Sequence, residues 1–270
     1  MGVRHNRRRV SEKVYEVAMD LGLSGQHVAV FGMASGIGRA IAEGFVDEGC
    51  VVRGFDRVAH PAIDTFIGDV TSTAQVAAFA AGFERVDHVV YCVGVGSGKF
   101  GFPFWNLEPE DWPRVLDVNL TGAVRAAHAF APRLIDRGAG SMLFLVSVAG
   151  QIGSQTDPPY SAAKAGLINF VHCAAKDLGP HGIRVNAMAP GMVKTDLNRA
   201  VWAAGQQRLA PDARQDYDTW AEEKIRKVSH LGRWQTPPEY AALACFLASD
   251  HGRNITGQTL NIDGGQVMHA

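Results

Sequence analysis

No stretch of this 270-residue chain is apolar for long enough to span a bilayer, which excludes a membrane-spanning helix. There is no excess of one charge: the formal net charge is -1, so no basic field recruits nucleic acid. Cysteine is scarce. Cys50, Cys92, Cys173 and Cys245 are scattered in apolar surroundings with no CxxC, as expected of reduced thiols in a cytoplasmic protein. The ten histidines form no HExxH and no cluster, so no metal site is expected. Internal repeats, low-complexity tracts and a composition break that would mark a second domain are all missing. The N-terminus lacks an apolar core. Arg4-His5-Asn6-Arg7-Arg8-Arg9 is basic but is not a secretory signal, and Glu12 and Glu16 argue against a transit peptide. Ser11 can cap a short helix through Leu21. Residues 1–23 read as an extension, either packed on a neighbouring subunit or left as a solvated arm.

What the chain does have is an ordinary core composition, 47% hydrophobic and 20% charged, enough for one large domain. From residue 26 strand and helix patterns alternate. Strands are expected at His27–Phe31, Val51–Phe55, Thr65–Ile67, His88–Val93, Met142–Val146, Arg184–Ala189 and Thr259–Ile262. Helical stretches are expected near 37–48, 72–83, 108–137, 160–179 and 238–248. Short apolar strands spaced by helix-length segments indicate βαβ units, hence a single-domain α/β fold with a doubly wound parallel sheet of about seven strands over 24–270. The segment 192–236 is too long for a plain connection and reads as a lid with its own short helices.

Three features carry chemistry. Tyr160 and Lys164 are four apart, and on a helix such residues share a face. A fixed cation beside a phenol favours the phenolate, which matters because tyrosine otherwise titrates near about 10. Ser147 stands thirteen residues before Tyr160, after the apolar run Met142-Leu143-Phe144-Leu145-Val146. The turn Gly32-Met33-Ala34-Ser35-Gly36-Ile37-Gly38 follows a strand and opens a helix, where backbone amides favour an anion and glycine admits a pyrophosphate. Asp56 ends the next strand, eighteen residues past Gly38. A carboxylate there can bind adenosine ribose hydroxyls and repel a 2′-phosphate, so NAD is expected over NADP, with Arg53 and Arg57 as nearby opposing charges.

From about residue 24 the chain resembles the classical short-chain dehydrogenase/reductase family. The likeness rests on Gly32-xxx-Gly36-Ile37-Gly38, Gly68-Asp69-Val70, Val118-Asn119-Leu120, Ser147, Tyr160-xxx-Lys164, Val185-Asn186, Pro190-Gly191-xxx-Thr195, and Ile255-Thr256-Gly257-Gln258 with Asp263-Gly264-Gly265. The resemblance implies a Rossmann-type fold and a catalytic tetrad. Tyr160 is then the general acid/base, Lys164 binds the nicotinamide ribose and lowers the Tyr160 pKa, Ser147 bonds the substrate oxygen, and Asn119 holds a water. It further implies cofactor contacts from Gly32, Ser35, Gly36, Ile37 and Gly38 and from Asp56. Asp69 and Val70 lie by the adenine, Gly94 along the adenosine, and Pro190, Gly191, Val193 and Thr195 by the carboxamide. A homotetramer with 222 symmetry, built on the helices near 122–137 and 160–179, is implied as well.

Two departures stand out. Phe31 replaces the family's threonine, and Tyr91-Cys92-Val93-Gly94 replaces Asn-Asn-Ala-Gly. The lost hydroxyl and amide normally tie neighbouring strands together. On the substrate side stand Lys99-Phe100-Gly101-Phe102-Pro103-Phe104-Trp105 and the lid residues Trp202, Arg208, Tyr217, Trp220 and Arg226, whose aromatics either pack on a sugar or staple the lid down. The lid carries eight Lys/Arg and six Asp/Glu, so its composition demands no strongly anionic substrate. Gln151, Gln155 and Asp157 either bond substrate hydroxyls or serve the surface loop. The C-terminal run resembles sugar and polyol dehydrogenases of the family. Alternatives are a 3-oxoacyl-thioester reductase, with Arg125 and Lys176 facing an acyl carrier, and a catalytically idle NAD-binding regulator.

Overall fold

A computed structural model of the chain describes residues 19–99, 103–154, 156–194, 196–207 and 209–268. Most of the expected N-terminal extension, with Ser11, lies outside the described residues, as do Phe100, Phe102, Gln155, Thr195 and Arg208. The helix expected to run through Leu21 does not cover 19–21, which have no regular structure.

The chain runs β1 (His27–Phe31), α1 (Gly36–Asp47), β2 (Val51–Asp56), β3 (Thr65–Ile67), α2 (Thr73–Ala81), β4 (His88–Tyr91), α3 (Trp112–Leu116) and α4 (Gly122–Arg137). It continues with β5 (Gly140–Leu145), α5 (Ala149–Ile152), α6 (Pro158–Leu178), β6 (Ile183–Pro190), α7 (Asp196–Gln207), α8 (Tyr217–Val228), α9 (Pro237–Ala248) and β7 (Thr259–Ile262). All seven strands are parallel, in the order β3-β2-β1-β4-β5-β6-β7. The order reverses direction between β1 and β4, and ligands of open α/β sheets bind outside the strand ends at that point.

Alternation along the strands splits the core into two layers. Ala29 and Phe31 face α2, α4 and α6, whereas Val28 and Val30 face α1 and α9. The first layer is aromatic. Phe31 lies 5.2 Å from Phe55, 5.3 Å from Phe79, 5.8 Å from Tyr91 and 6.0 Å from Phe130, centroid to centroid. Burying a phenylalanine this fully contributes about 1.5–3 kcal/mol. The departure at Phe31 is therefore a substitution of packing for a hydrogen bond. In the second layer Gly44 lets α1 lie against α9, since a Cβ there would be 2.9 Å from Ala241 Cβ.

The helical stretch read as 108–137 is not one helix. A single turn of 3-10 helix at Pro109–Asp111 leads into α3, and a π-helical turn, Asp117–Thr121, separates α3 from α4. Two carbonyls of this stretch accept side-chain donors: Val115 O from Asn119 Nδ2 (2.9 Å) and Val118 O from Tyr91 Oη (2.6 Å). Tyr91 thus joins β4 to the helical layer, a different tie from the strand-to-strand one that the missing amide was expected to make. Gly122 leaves room for it, because a Cβ there would stand 2.5 Å from Tyr91 Oη.

Candidate active site

The glycine turn is shaped by contacts that side chains would fill. Gly32 takes φ +81° and Gly36 φ +57°, conformations open mainly to glycine. A Cβ on Gly32 would lie 2.9 Å from Val93 N, and one on Gly38 would run into the Gly32 carbonyl. Met33 folds underneath β2, where only the absence of a side chain at Gly54 admits its thioether. Ser35 precedes α1 without capping it through its side chain, so the first amides of α1 remain for an anion. Asp56 fixes the turn: its Oδ2 accepts from Ala34 N (2.9 Å) and its Oδ1 from Arg57 N (2.7 Å). Asp69 Oδ1 accepts from Thr71 N (2.9 Å) and Thr71 Oγ1 (2.8 Å), and these bonds hold its carboxyl below the usual range.

These groups open on a cleft of about 970 Å³ that reaches from Asp56 and Asp69 past Gly94 to Ser147, Tyr160 and Lys164, and on to the lid. Its size sits at the upper end of ligand sites. With three glycines whose Cβ atoms would intrude, at 32, 38 and 94, the residues present fit a nicotinamide dinucleotide. Val70, Pro190, Gly191, Val193 and Ile37 line the same cleft. Thr195 lies outside the described residues.

The reactive end comes from β5, α5 and α6. Ser147 follows β5 at the entry to α5, and its Oγ accepts from Ala149 N (3.1 Å). α5 is clamped on α6: Ser161 Oγ donates to Ala149 O (2.5 Å), and a Cβ on Gly150 would lie 2.7 Å from Ala165 N. That clamp brings Ser147 up to Tyr160, whose phenol pKa its hydroxyl lowers. Lys164 is buried, 2% exposed, and its Nζ donates to Leu145 O (2.8 Å) and lies 5.5 Å from the Tyr160 ring centroid. Asn119 is fully buried; Nδ2 donates to Val95 O (2.8 Å) and Oδ1 accepts from Val95 N (3.3 Å). Gly94 is wedged between the two, since a Cβ there would be 3.2 Å from Asn119 Oδ1 and 3.5 Å from Lys164 Nζ.

The protonation picture differs from the expectation that Lys164 lowers the phenol. Burial pushes Tyr160 up to about 12, and the Ser147 hydrogen bond opposes it only in part. Burial likewise lowers Lys164 to about 8. Desolvation therefore outweighs the ammonium's influence in the chain by itself.

Several expected substrate contacts are committed elsewhere. Gln151 forms a reciprocal amide pair with Asn261, both bonds 2.9 Å. Asp157 is buried and accepts from Ser97 N (2.8 Å), tying the loop after β4 to the start of α6. Gln155 lies outside the described residues. Phe104 and Trp105 meet edge to face, 5.4 Å apart, and stand 63% and 70% exposed. In the lid, Trp202 and Trp220 flank Tyr217 at 5.7 and 6.0 Å, Trp202 Nε1 donates to Gln215 O, and Arg226 pairs with Glu222. These aromatics staple α7 to α8 rather than face the cleft. What the sequence reading missed is Lys224, which does line the cleft. A lone lysine in the run Glu222-Glu223-Lys224-Ile225-Arg226-Lys227 gives no signal of its own.

Among the described residues no helix is long and apolar enough to cross a membrane, and no group of His, Cys, Asp and Glu could hold a metal ion. The family described as enoyl-(acyl carrier protein) reductase matches residues 32–267. D-threitol dehydrogenase of Mycolicibacterium smegmatis is 31% identical, over 93% of this chain and 96% of its own. A 3-oxoacyl-acyl-carrier-protein reductase of Thermotoga maritima is also 31% identical, over 91% and 99%. The structure of Thermoplasma acidophilum aldohexose dehydrogenase superposes with a TM-score of 0.79 at 29% identity, covering 92% of this chain and 96% of that one. With this match along nearly its whole described length, and with the serine, tyrosine and lysine gathered at one end of a dinucleotide-sized cleft, the chain belongs to the classical short-chain dehydrogenase/reductase family, oxidoreductases that act on CH–OH groups with a nicotinamide cofactor.

Proposed function

We propose that the chain interconverts a secondary alcohol and a ketone on a sugar or polyol, using NAD. The observation that carries this is the clamp of α5 on α6, which sets the Ser147 hydroxyl against the Tyr160 phenol within the cleft. The bound nicotinamide supplies the hydride exchange, and the chain's own groups manage the proton. In oxidation Tyr160 Oη takes the proton from the substrate hydroxyl, while Ser147 Oγ holds that oxygen in place. Lys164 Nζ anchors the ribose side. Asn119 keeps the loop after β4 at the right distance through its two bonds to Val95. General acid–base groups contribute about 10²–10⁴-fold. Tyr160→Phe is the test: kcat should fall by at least that much with NADH binding retained, and near-normal turnover would refute the assignment.

The finer readings rest on particular residues. Asp56 lines the cleft at the end of β2, and its charge favours a free ribose over a 2′-phosphate, although the exposed Arg57 lies beside it. α4 and α6 lie side by side on one face of the sheet, which supports a tetramer with 222 symmetry formed by isologous contacts there. All four cysteines are free thiols, which supports a cytoplasmic location. The catalytic fold is taken to begin near residue 24. The likeness to D-threitol and aldohexose dehydrogenases favours a polyhydroxylated substrate. A 3-oxoacyl-thioester substrate is the second reading, favoured by the Thermotoga maritima relative. Against it, Arg125 is already spent on Asp117 (2.8 Å) and on Thr73 Oγ1 and Val70 O. Turnover of polyols and aldoses against 3-hydroxyacyl thioesters, followed by NADH absorbance, separates the two.

A further inference from the structure

The lid composition is mixed, and so is the cleft where Arg57 and Arg114 stand with Asp56 and Asp69, but the charges at its lid end are of one sign. Among the described residues that line the cleft, the only carboxylates are Asp56, which ends β2, and Asp69, which follows β3. Lys194 and Lys224 line its lid end, after β6. In the strand order β3-β2-β1-β4-β5-β6-β7, the acids and these lysines lie on opposite sides of the point where the sheet reverses. Three of the lid's own carboxylates are engaged elsewhere. Asp216 caps α8, Glu222 pairs with Arg226, and Glu223 accepts from Gln215. Among the lid carboxylates whose side chains are described, only the exposed Asp218 comes near a cleft lysine, 3.8 Å from Lys194 Nζ.

Lys224 has no ion pair and no hydrogen bond with any described residue. Its Nζ sits over the Trp220 ring, 4.4 Å from the centroid, on the inner side of α8. Half-buried there, it is lowered to about 8 by desolvation, and no carboxylate among the described residues opposes the effect. A cation kept in a partly dry cleft without a counter-ion is a site for one. A dinucleotide's pyrophosphate belongs at the first amides of α1, on the other side of Ser147 and Tyr160.

We propose that Lys224, supported by Lys194, receives an anionic group of the substrate, so that the substrate is a polyhydroxy acid or a polyol phosphate rather than a neutral polyol. This deepens the reading above and rests on it for the polyol part alone. The test titrates the enzyme–NADH complex with D-gluconate against sorbitol and with glycerol phosphate against glycerol, following NADH fluorescence. Turnover of each is measured in parallel with NAD. The anionic member of at least one pair should bind about tenfold to hundredfold more tightly, the range of a hydrogen bond to a charged group. Lys224→Met should abolish that preference, Lys224→Arg should keep it, and neither should change NADH affinity. The proposal is overturned if wild type shows no charge preference, if Lys224→Met retains it, or if Lys224→Met weakens NADH itself, which would assign the lysine to the cofactor phosphates. Charge preference without turnover of any polyol supports the anion site and sinks the polyol reading; turnover of neutral polyols without charge preference does the reverse.

Discussion

Tyr91 and Gly122 should behave as one unit in a double-mutant cycle. Tyr91 is fully buried and donates to Val118 O at 2.6 Å, so Tyr91→Phe leaves a carbonyl of the π turn unsatisfied in the core. That costs about 1–3 kcal/mol. Gly122→Ala gains about 1 kcal/mol of helix propensity but drives a Cβ to 2.5 Å from Tyr91 Oη, and overpacking of this kind costs about 1–3 kcal/mol. In the Tyr91→Phe background the hydroxyl is gone, and the nearest atom left to the new methyl is on Val70, at 3.1 Å. The double variant should therefore be more stable than the sum of the singles by about 1–2 kcal/mol. Urea denaturation at one fixed protomer concentration reads this from midpoint shifts at constant slope. Additivity within about 0.5 kcal/mol would show that the two positions do not share this space, and the account of the Tyr91 tie would fall.

Phe31→Thr, which restores the family residue, should destabilise by about 2–4 kcal/mol because it empties a site ringed by four aromatics; a gain in melting temperature would contradict this. Asp56→Ala should narrow the preference for NAD over NADP in kcat/KM, and equal use of both by wild type would overturn the cofactor reading. His88 is buried between Ser141 Oγ and Gln26 Oε1 and is lowered by burial to about 4. Since its folded pKa lies below the unfolded value of about 6.5, its contribution is complete above that pH and is lost as pH falls from there toward 4, by about 3 kcal/mol. His88→Gln should flatten that part of the acid-stability curve, and an unchanged curve would refute the assignment. Gly94→Ala should slow turnover severalfold with little change in stability, because it presses on Asn119 and touches Lys164; unchanged kcat would show that the wedge is slack.

The strands were legible because each is a short apolar run, and β1, β3 and β7 match the expected bounds to the residue. The break in 108–137 was not legible. Its apolar spacing fits a helix throughout, and the π turn depends on Tyr91 and Asn119 taking carbonyls, which no local pattern records. At the site, Ser147, Tyr160 and Lys164 were found by spacing, and the structure brings them together. The phenol's upward shift was hidden because spacing places a cation nearby but says nothing of how deeply both groups are buried. Gln151 looked free for substrate because its partner, Asn261, is far along the chain. The charge segregation in the cleft escaped for the same reason: a count of lysines and acids in the lid carries no direction.

The π turn at Asp117–Thr121 makes the site sensitive to counting rather than to chemistry. A five-residue turn set into a helix shifts the phase of everything after it relative to everything before. Deleting one residue between 117 and 121 would let α3 and α4 merge into a regular helix of ordinary composition. Every side chain from α3 back to the loop after β4 would then point about 100° away from its present direction relative to α4. Asn119 could not meet Val95, and Tyr91 would face the wrong carbonyl, although neither residue had been altered. The reading frame of one helix is thus a component of the active site, and a single-residue deletion there should be worse tolerated than any one substitution in the same turn.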